Sequence, residues 1–158
     1  MIVDTGLHLD ITALYADYAA CVDSGAYDDW PDFFTEDCRY RVVARENHDD
    51  DLPLSVMDLQ SRGALKDRVF GITETIYHAP YYQRHIIGPV RILSREGDVI
   101  STEANYLVIR TKRDMTSDVF NVGRYLDRIV NEGGRLRFAE KICVYDSDLI
   151  PNSIIYPV

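Results

Sequence analysis

Four histidines, His8, His48, His78 and His85, and three cysteines, Cys21, Cys38 and Cys143, are the side chains from which this chain would have to build a metal or redox centre. No two histidines stand four positions apart, the spacing that aims two imidazoles from one helix face at a zinc ion. A mononuclear iron site of two histidines and a carboxylate would need ligands drawn from distant positions. A two-iron cluster held by two thiolates and two imidazoles requires Cys-x-His and Cys-x-x-His. Cys21 is followed by Val22-Asp23, Cys38 by Arg39-Tyr40 and Cys143 by Val144-Tyr145, so none fits. His48-Asp49-Asp50-Asp51 offers hard oxygens without the glycine and distal glutamate of a calcium loop, and reads as a solvated acidic loop. The motifs G-x-S-x-G, the P-loop and G-x-G-x-x-G do not occur.

Acid/base chemistry survives this elimination. His85, with a tyrosine such as Tyr40 or Tyr125 and with Asp17, could move protons on a small molecule held in a pocket. The plainer reading is a hydrogen-bonded His–Tyr pair on neighbouring half-buried strands. The stretch Tyr77-His78-Ala79-Pro80-Tyr81-Tyr82-Gln83-Arg84-His85 crowds rings and cations together, a mixture that suits a protein interface as well as a pocket.

These residues must be positioned by helices first and strands afterwards. Leu7, Ile11, Leu14, Tyr15, Tyr18 and Val22 fall on one helical stripe, stopped by Ser24-Gly25. A second short helix is expected from Asp28 to Phe34, with Pro31 and acidic residues in its first turns and Trp30, Phe33 and Phe34 on its buried side. From Asp37 the period becomes two, with Cys38, Tyr40, Val42 and Ala44 on one face of a strand. Asn47 to Pro53 reads as a loop, a short strand follows between Leu54 and Leu59, and Ser61 caps a helix carrying Leu65, Val69 and Ile72.

Extended runs are expected at Arg84 to Arg95, Val99 to Lys112, Val119 to Val130 and Arg135 to Asp146, with bulges or bends at Gly88-Pro89 and Gly123. Long strands in a small sheet must twist and coil, and a helix laid in the hollow completes the core. The expected fold is therefore α+β: a cone-shaped roll of a strongly curved, mostly antiparallel sheet with the N-terminal helices in its hollow. One domain, 1–158, is expected, helical over 1–35, with first strands and a loop over 37–59, a helix over 61–72, a meander over 84–146 and an apolar tail over 147–158. That tail holds Leu149, Ile150, Ile154, Ile155, Tyr156 and Val158, and must pack on this chain or on another.

Composition bounds the partners. The chain has 158 residues, 46% apolar and 27% charged, with a formal net charge of -9, and its mean hydropathy is slightly negative. A domain of this size buries roughly 70% of the surface its unfolded chain exposes, so it can fold without staples. An acidic chain makes a poor wrapper for nucleic acid. No apolar run reaches the ~20 residues that cross a bilayer, and Met1-Ile2-Val3-Asp4 lacks the basic flank and apolar core of a signal peptide. An odd number of widely spaced cysteines fits reduced thiols, and a cytoplasmic location is expected. Eleven tyrosines suit interfaces and half-wet cavities.

The order of the Tyr15 to Val22 helix, Trp30-Pro31-x-Phe33-Phe34, Asp37-Cys38-x-Tyr40-x-Val42, Met57 to Leu65 with Lys66-Asp67-Arg68, Arg84-His85, Gly123-x-Tyr125-Leu126-Asp127 and the Lys141 to Asp146 strand resembles the small subunit of Rieske-type ring-hydroxylating oxygenases. Glu46-Asn47-His48-Asp49 before a Leu-Pro loop, and Tyr82-Gln83-Arg84-His85, look most like the aromatic-acid branch, which includes salicylate 5-hydroxylase and terephthalate dioxygenase small subunits. The resemblance implies the cone fold shared with nuclear transport factors and scytalone dehydratase. It also implies a hexamer of three large and three small subunits, served by a ferredoxin and an NAD(P)H-dependent reductase. The large subunit would hold the Rieske [2Fe-2S] cluster and the mononuclear non-haem iron, leaving this chain without cofactor or catalytic residues and with a role in assembly. Tyr81, Tyr82, Arg84, Ile154, Ile155 and Tyr156 are then the expected contacts to other subunits. Because the same cone houses acid/base enzymes, a stand-alone dehydratase, isomerase or cyclase using His85, and a ligand-binding or dimerisation module, are the competing expectations.

Overall fold

The computed structural model describes residues 4–149 and 153–158. Met1, Ile2 and Val3 of the expected leaderless start, and Ile150 of the apolar tail, lie outside the described residues. Helix α1 spans Thr5–Asp23 and begins where the Asp4 carboxylate accepts the Gly6 N–H at 2.9 Å, relieving one of the unpaired donors of its first turn. Ile11, Leu14, Tyr15, Tyr18 and Val22 are buried, as their spacing requires. Gly25 ends this region at φ +76°, a left-handed conformation that glycine adopts freely. The short helix that follows is a 3-10 turn, Tyr27–Phe33, burying Trp30, Pro31 and Phe33.

Strand β1 is Phe34–Ala44. The segment expected to be loop from Asn47 begins instead inside a five-residue helix, α2, Arg45–Asp49. Strand β2 is Met57–Leu59, and α3, Arg62–Phe70, is capped by the Ser61 hydroxyl accepting the Ala64 N–H at 3.0 Å. A single π-turn, Gly71–Thr75, continues it and buries Ile72.

The run expected from Arg84 to Arg95, with a bulge or bend at Gly88-Pro89, is two strands, β3 (Tyr81–Ile87) and β4 (Arg91–Glu96). Both pair with β5 (Val99–Lys112), and Gly88-Pro89-Val90 carries the chain from one to the other. Pro89 lacks the N–H that a continuous ladder needs. Strands β6 (Asp118–Glu132) and β7 (Arg135–Tyr145) complete the sheet.

The sheet order is β2-β1-β7-β6-β5-β3, with β4 also on β5. The β1–β7 pair is parallel and the others antiparallel. Bulges at Phe120 and Ala139, where the register skips one residue, help the sheet coil. Gly123 holds register with Tyr106 and Tyr145 and is no bulge; it is a point of close approach, since a Cβ there would lie 1.9 Å from the Val144 carbonyl oxygen.

Inward-facing side chains of β1, β5, β6 and β7 meet α1 and the 3-10 turn in one buried cluster that includes Tyr15, Tyr18, Trp30, Phe34, Tyr40, Tyr125 and Phe138. The tail closes it, for Ile154 and Val158 belong to the same cluster. No helix among the described residues is long and apolar enough to cross a membrane.

Candidate functional site

Helix α1 presents Asp23 to the inner face of β3, where His85 sits. The His85 Nδ1 lies 2.6 Å from Asp23 Oδ1, and the His85 backbone N–H donates to Asp23 Oδ2 at 2.8 Å. The imidazole is fully buried, and its Nε2 has no partner. The expected acid/base set is not assembled around it. Asp17 is exposed on another side of α1. Tyr40 accepts the Val158 N–H at 2.9 Å and donates to the Val158 carbonyl at 3.1 Å. Tyr125 is stacked on Tyr106 with ring centroids 4.2 Å apart. The carboxylate of His85 is thus Asp23, the last residue of α1.

The interior also holds an ion pair that the sequence reading missed. Asp127 and Lys141 are directly opposed across β6 and β7, with Nζ 2.9 Å from Oδ2 and both side chains fully buried. Tyr15 donates to the same carboxylate oxygen. The Lys141 ammonium stands 3.5 Å from the Tyr125 ring centroid and within 4.8 Å of those of Tyr15, Tyr18 and Phe138, so ring faces replace part of its lost hydration. Burial raises the Asp127 carboxyl above its ordinary range although the Lys141 charge opposes the shift. Strand parity was the available signal, because both charges fall at inward positions.

The expected interface residues divide. Tyr82 and Arg84 are exposed on the outer face of β3. Tyr81 is half-buried, with its ring centroid 4.7 Å from that of Tyr156. Ile154 and Tyr156, expected at a subunit contact, are buried within this chain, and Ile155 is half-buried. Arg68 Nη2 donates to the Ile154 and Ile155 carbonyls at 3.0 and 2.9 Å, and the Tyr156 hydroxyl is hydrogen-bonded to His78 Nε2 at 2.7 Å. The tail is held by donors and rings of its own domain.

Exposed apolar surface lies elsewhere, on the outer face of the sheet. Ile86, Leu107 and Val122 are register partners across β3, β5 and β6, and Arg84, Ile109 and Val119 form the next row. Ile86 and Val119 are 52% and 60% exposed.

The histidines sit apart, on α1, on α2, before β3 and on β3, and no group of three or more His, Cys, Asp or Glu side chains converges among the described residues. The thiols are poor ligands where they are, with burial pushing Cys143 up to about 12 and Cys21 and Cys38 up to about 11.

Known proteins resemble this architecture over nearly its whole length. Residues 18–152 match the family model described as ring hydroxylating beta subunit. The terminal oxygenase component subunit beta 1 of terephthalate 1,2-dioxygenase from a Comamonas species is 34% identical over 95% of this chain and 97% of its own. The anthranilate 1,2-dioxygenase small subunit of Burkholderia cepacia is 30% identical over 94% and 92%. A crystal structure assigned to the beta subunit of an aromatic-ring-hydroxylating dioxygenase of Novosphingobium aromaticivorans superimposes with a TM-score of 0.88 at 37% identity, covering 96% of this chain and 97% of that one. Matches at this identity over nearly the whole chain place it in the family of ring-hydroxylating oxygenase beta subunits.

Proposed function

We propose that this chain is the small, structural subunit of the terminal oxygenase component of an aromatic-ring hydroxylase, bound to a large subunit that carries the Rieske [2Fe-2S] cluster and the non-haem iron. The observation that carries the reading is the apolar outer face of a chain whose own core, tail included, is already closed. Ile86, Leu107 and Val122, with Ile109, Val119, Tyr82 and Arg84 beside them, offer a contiguous surface that a permanent partner would cover. Permanent complexes bury well over ~2,000 Å² with an apolar centre. Ile155, half-buried, and Tyr81 lie at the margin of the folded tail.

The substrate is proposed to be an aromatic carboxylate of the salicylate type, since terephthalate and anthranilate, named for two relatives, are both aromatic carboxylates. The assembly is proposed to be a hexamer of three large and three small subunits in the cytoplasm, reduced through a ferredoxin and an NAD(P)H-dependent reductase. Three free cysteines support a reducing compartment. Residues 1–158 are read as one domain because a single buried cluster runs from α1 to Val158.

The test is co-expression with the large chain. The wild-type pair should co-purify in equal amounts. Val122→Asp with Ile86→Asp should abolish co-purification while the small chain alone keeps its far-ultraviolet spectrum and melting temperature. Undiminished co-purification of the double variant would overturn the surface assignment, and failure of the wild-type pair to associate would overturn the function.

A further inference from the structure

Where β3 begins and β5 ends, Tyr81 and Lys112 are register partners, and Arg110, two positions before Lys112, faces the same side of the sheet. A groove of about 490 Å³ opens there, bounded also by the segment before β3 and by Ser153 and Ile155 of the tail. Its charged lining is Arg110, Lys112 and Arg113, with no Asp or Glu, in a chain of net charge -9. Arg110 is held rigidly. Its side chain is 7% exposed, its guanidinium carbon lies 4.8 Å from the Phe120 ring centroid, and Asp118 accepts from Nε at 3.4 Å and from Nη2 at 2.9 Å. The remaining nitrogen, Nη1, makes no hydrogen bond among the described residues and, unlike the Tyr81 hydroxyl, is not shielded from solvent. Lys112 is exposed and forms no ion pair among the described residues. Arg113 stands 3.9 Å from Asp114, each side chain 93% exposed, a contact too hydrated to neutralise it. His78 does not compete for a ligand, because Tyr156 takes its Nε2 and the Ile76 carbonyl its Nδ1. Beside the cations, Tyr77 is fully exposed and Met115 is 65% exposed.

We propose that this groove binds a single-ring aromatic carboxylate, its charge between Arg110 Nη1 and the Lys112 ammonium and its ring among Tyr77, Met115 and Ile155. Three like charges in one concavity repel one another, and an anion placed among them relieves that repulsion. An arginine donor fixed by its neighbours binds a carboxylate without losing side-chain freedom, and charge-assisted bonds of this kind are the strong ones. The exposed ring and thioether supply apolar contact that an inorganic anion cannot use. The volume holds one ring with its substituents. The groove lies on the inner side of β3 and β5, opposite the surface of Ile86, Leu107 and Val122, and the inference does not rest on the assembly role.

The test is titration of the full-length chain with benzoate, toluene, inorganic phosphate and a short peptide of glutamate and tyrosine, followed by calorimetry and by the methyl resonance of Met115. Benzoate should bind with a Kd of about 1 mM or tighter, within reach of a ligand of its size, and shift that resonance. Toluene, which keeps the ring without the charge, and phosphate, which keeps charge without the ring, should each bind about 10-fold more weakly. The peptide should bind no better than benzoate. Lys112→Gln, at an exposed position, should weaken benzoate about 10-fold and leave the melting temperature unchanged, and Lys112→Arg should restore the affinity. Absence of benzoate binding, toluene or phosphate binding as tightly, a Met115 resonance that does not move, or benzoate affinity unchanged by Lys112→Gln would each overturn the proposal. Tighter binding of the peptide would overturn it in favour of an acidic protein segment.

Discussion

Lys141 Nζ sits 2.9 Å from Asp127 Oδ2 inside the cone, opposite it in the β6–β7 ladder, with neither side chain reaching solvent. Taking two charges out of water is costly, and their attraction repays it only while both are present. Lys141→Met should therefore destabilise the chain by about 3–5 kcal/mol, by leaving a buried carboxylate beside Tyr15 without its counter-charge. The double variant Lys141→Met, Asp127→Leu should recover most of that loss. Urea denaturation of the three chains measures both, and a double variant no more stable than the single would refute the pair's coupling.

The tail makes a sharper prediction because structure and sequence reading diverge. An apolar end after Ser147 was expected to serve subunit contacts, so that its removal would weaken assembly before folding. Ile154, Tyr156 and Val158 are instead buried in this chain, with Val158 fully so. Cutting after Asp148 should cost at least about 3 kcal/mol, from two or more buried side chains at roughly 1.5–3 kcal/mol each, and lower the melting temperature of the isolated chain. An unchanged melt would return the tail to the interface.

Gly123→Ala is a third test. The added Cβ would meet the Val144 carbonyl at 1.9 Å, and that oxygen belongs to the backbone of β7 and cannot swing aside. The β6–β7 ladder must shift, at a cost of about 2 kcal/mol or more by analogy with overpacked cores. Thermal melting measures it, and a change within a few tenths of a kcal/mol would mean that the strands are looser than described.

Local pattern made much of this fold legible. The α1 stripe, the alternation of β1 and the lengths of β5 and β6 each express a period set by one element's own geometry. Non-local features were not legible. The return of residues 153–158 into the core depends on the hydroxyls of Tyr18 and Tyr40, far away in sequence. The parallel pairing of β1 with β7 has no local signature. His85 was recognisable as a candidate from its surroundings, whereas its partner was not, since Asp17 and Asp23 differ only in which side of α1 they occupy. Lys141 was hidden by the usual rule that lysine faces water.

The central claim is that this chain supplies architecture and a partner supplies the iron. Iron and acid-labile sulfide, quantified in the purified lone chain and in its complex with the large subunit, test it most directly. The account predicts a colourless, iron-free lone chain and a brown complex whose metal stays with the large subunit when the two are separated. Stoichiometric iron in the lone chain would contradict it.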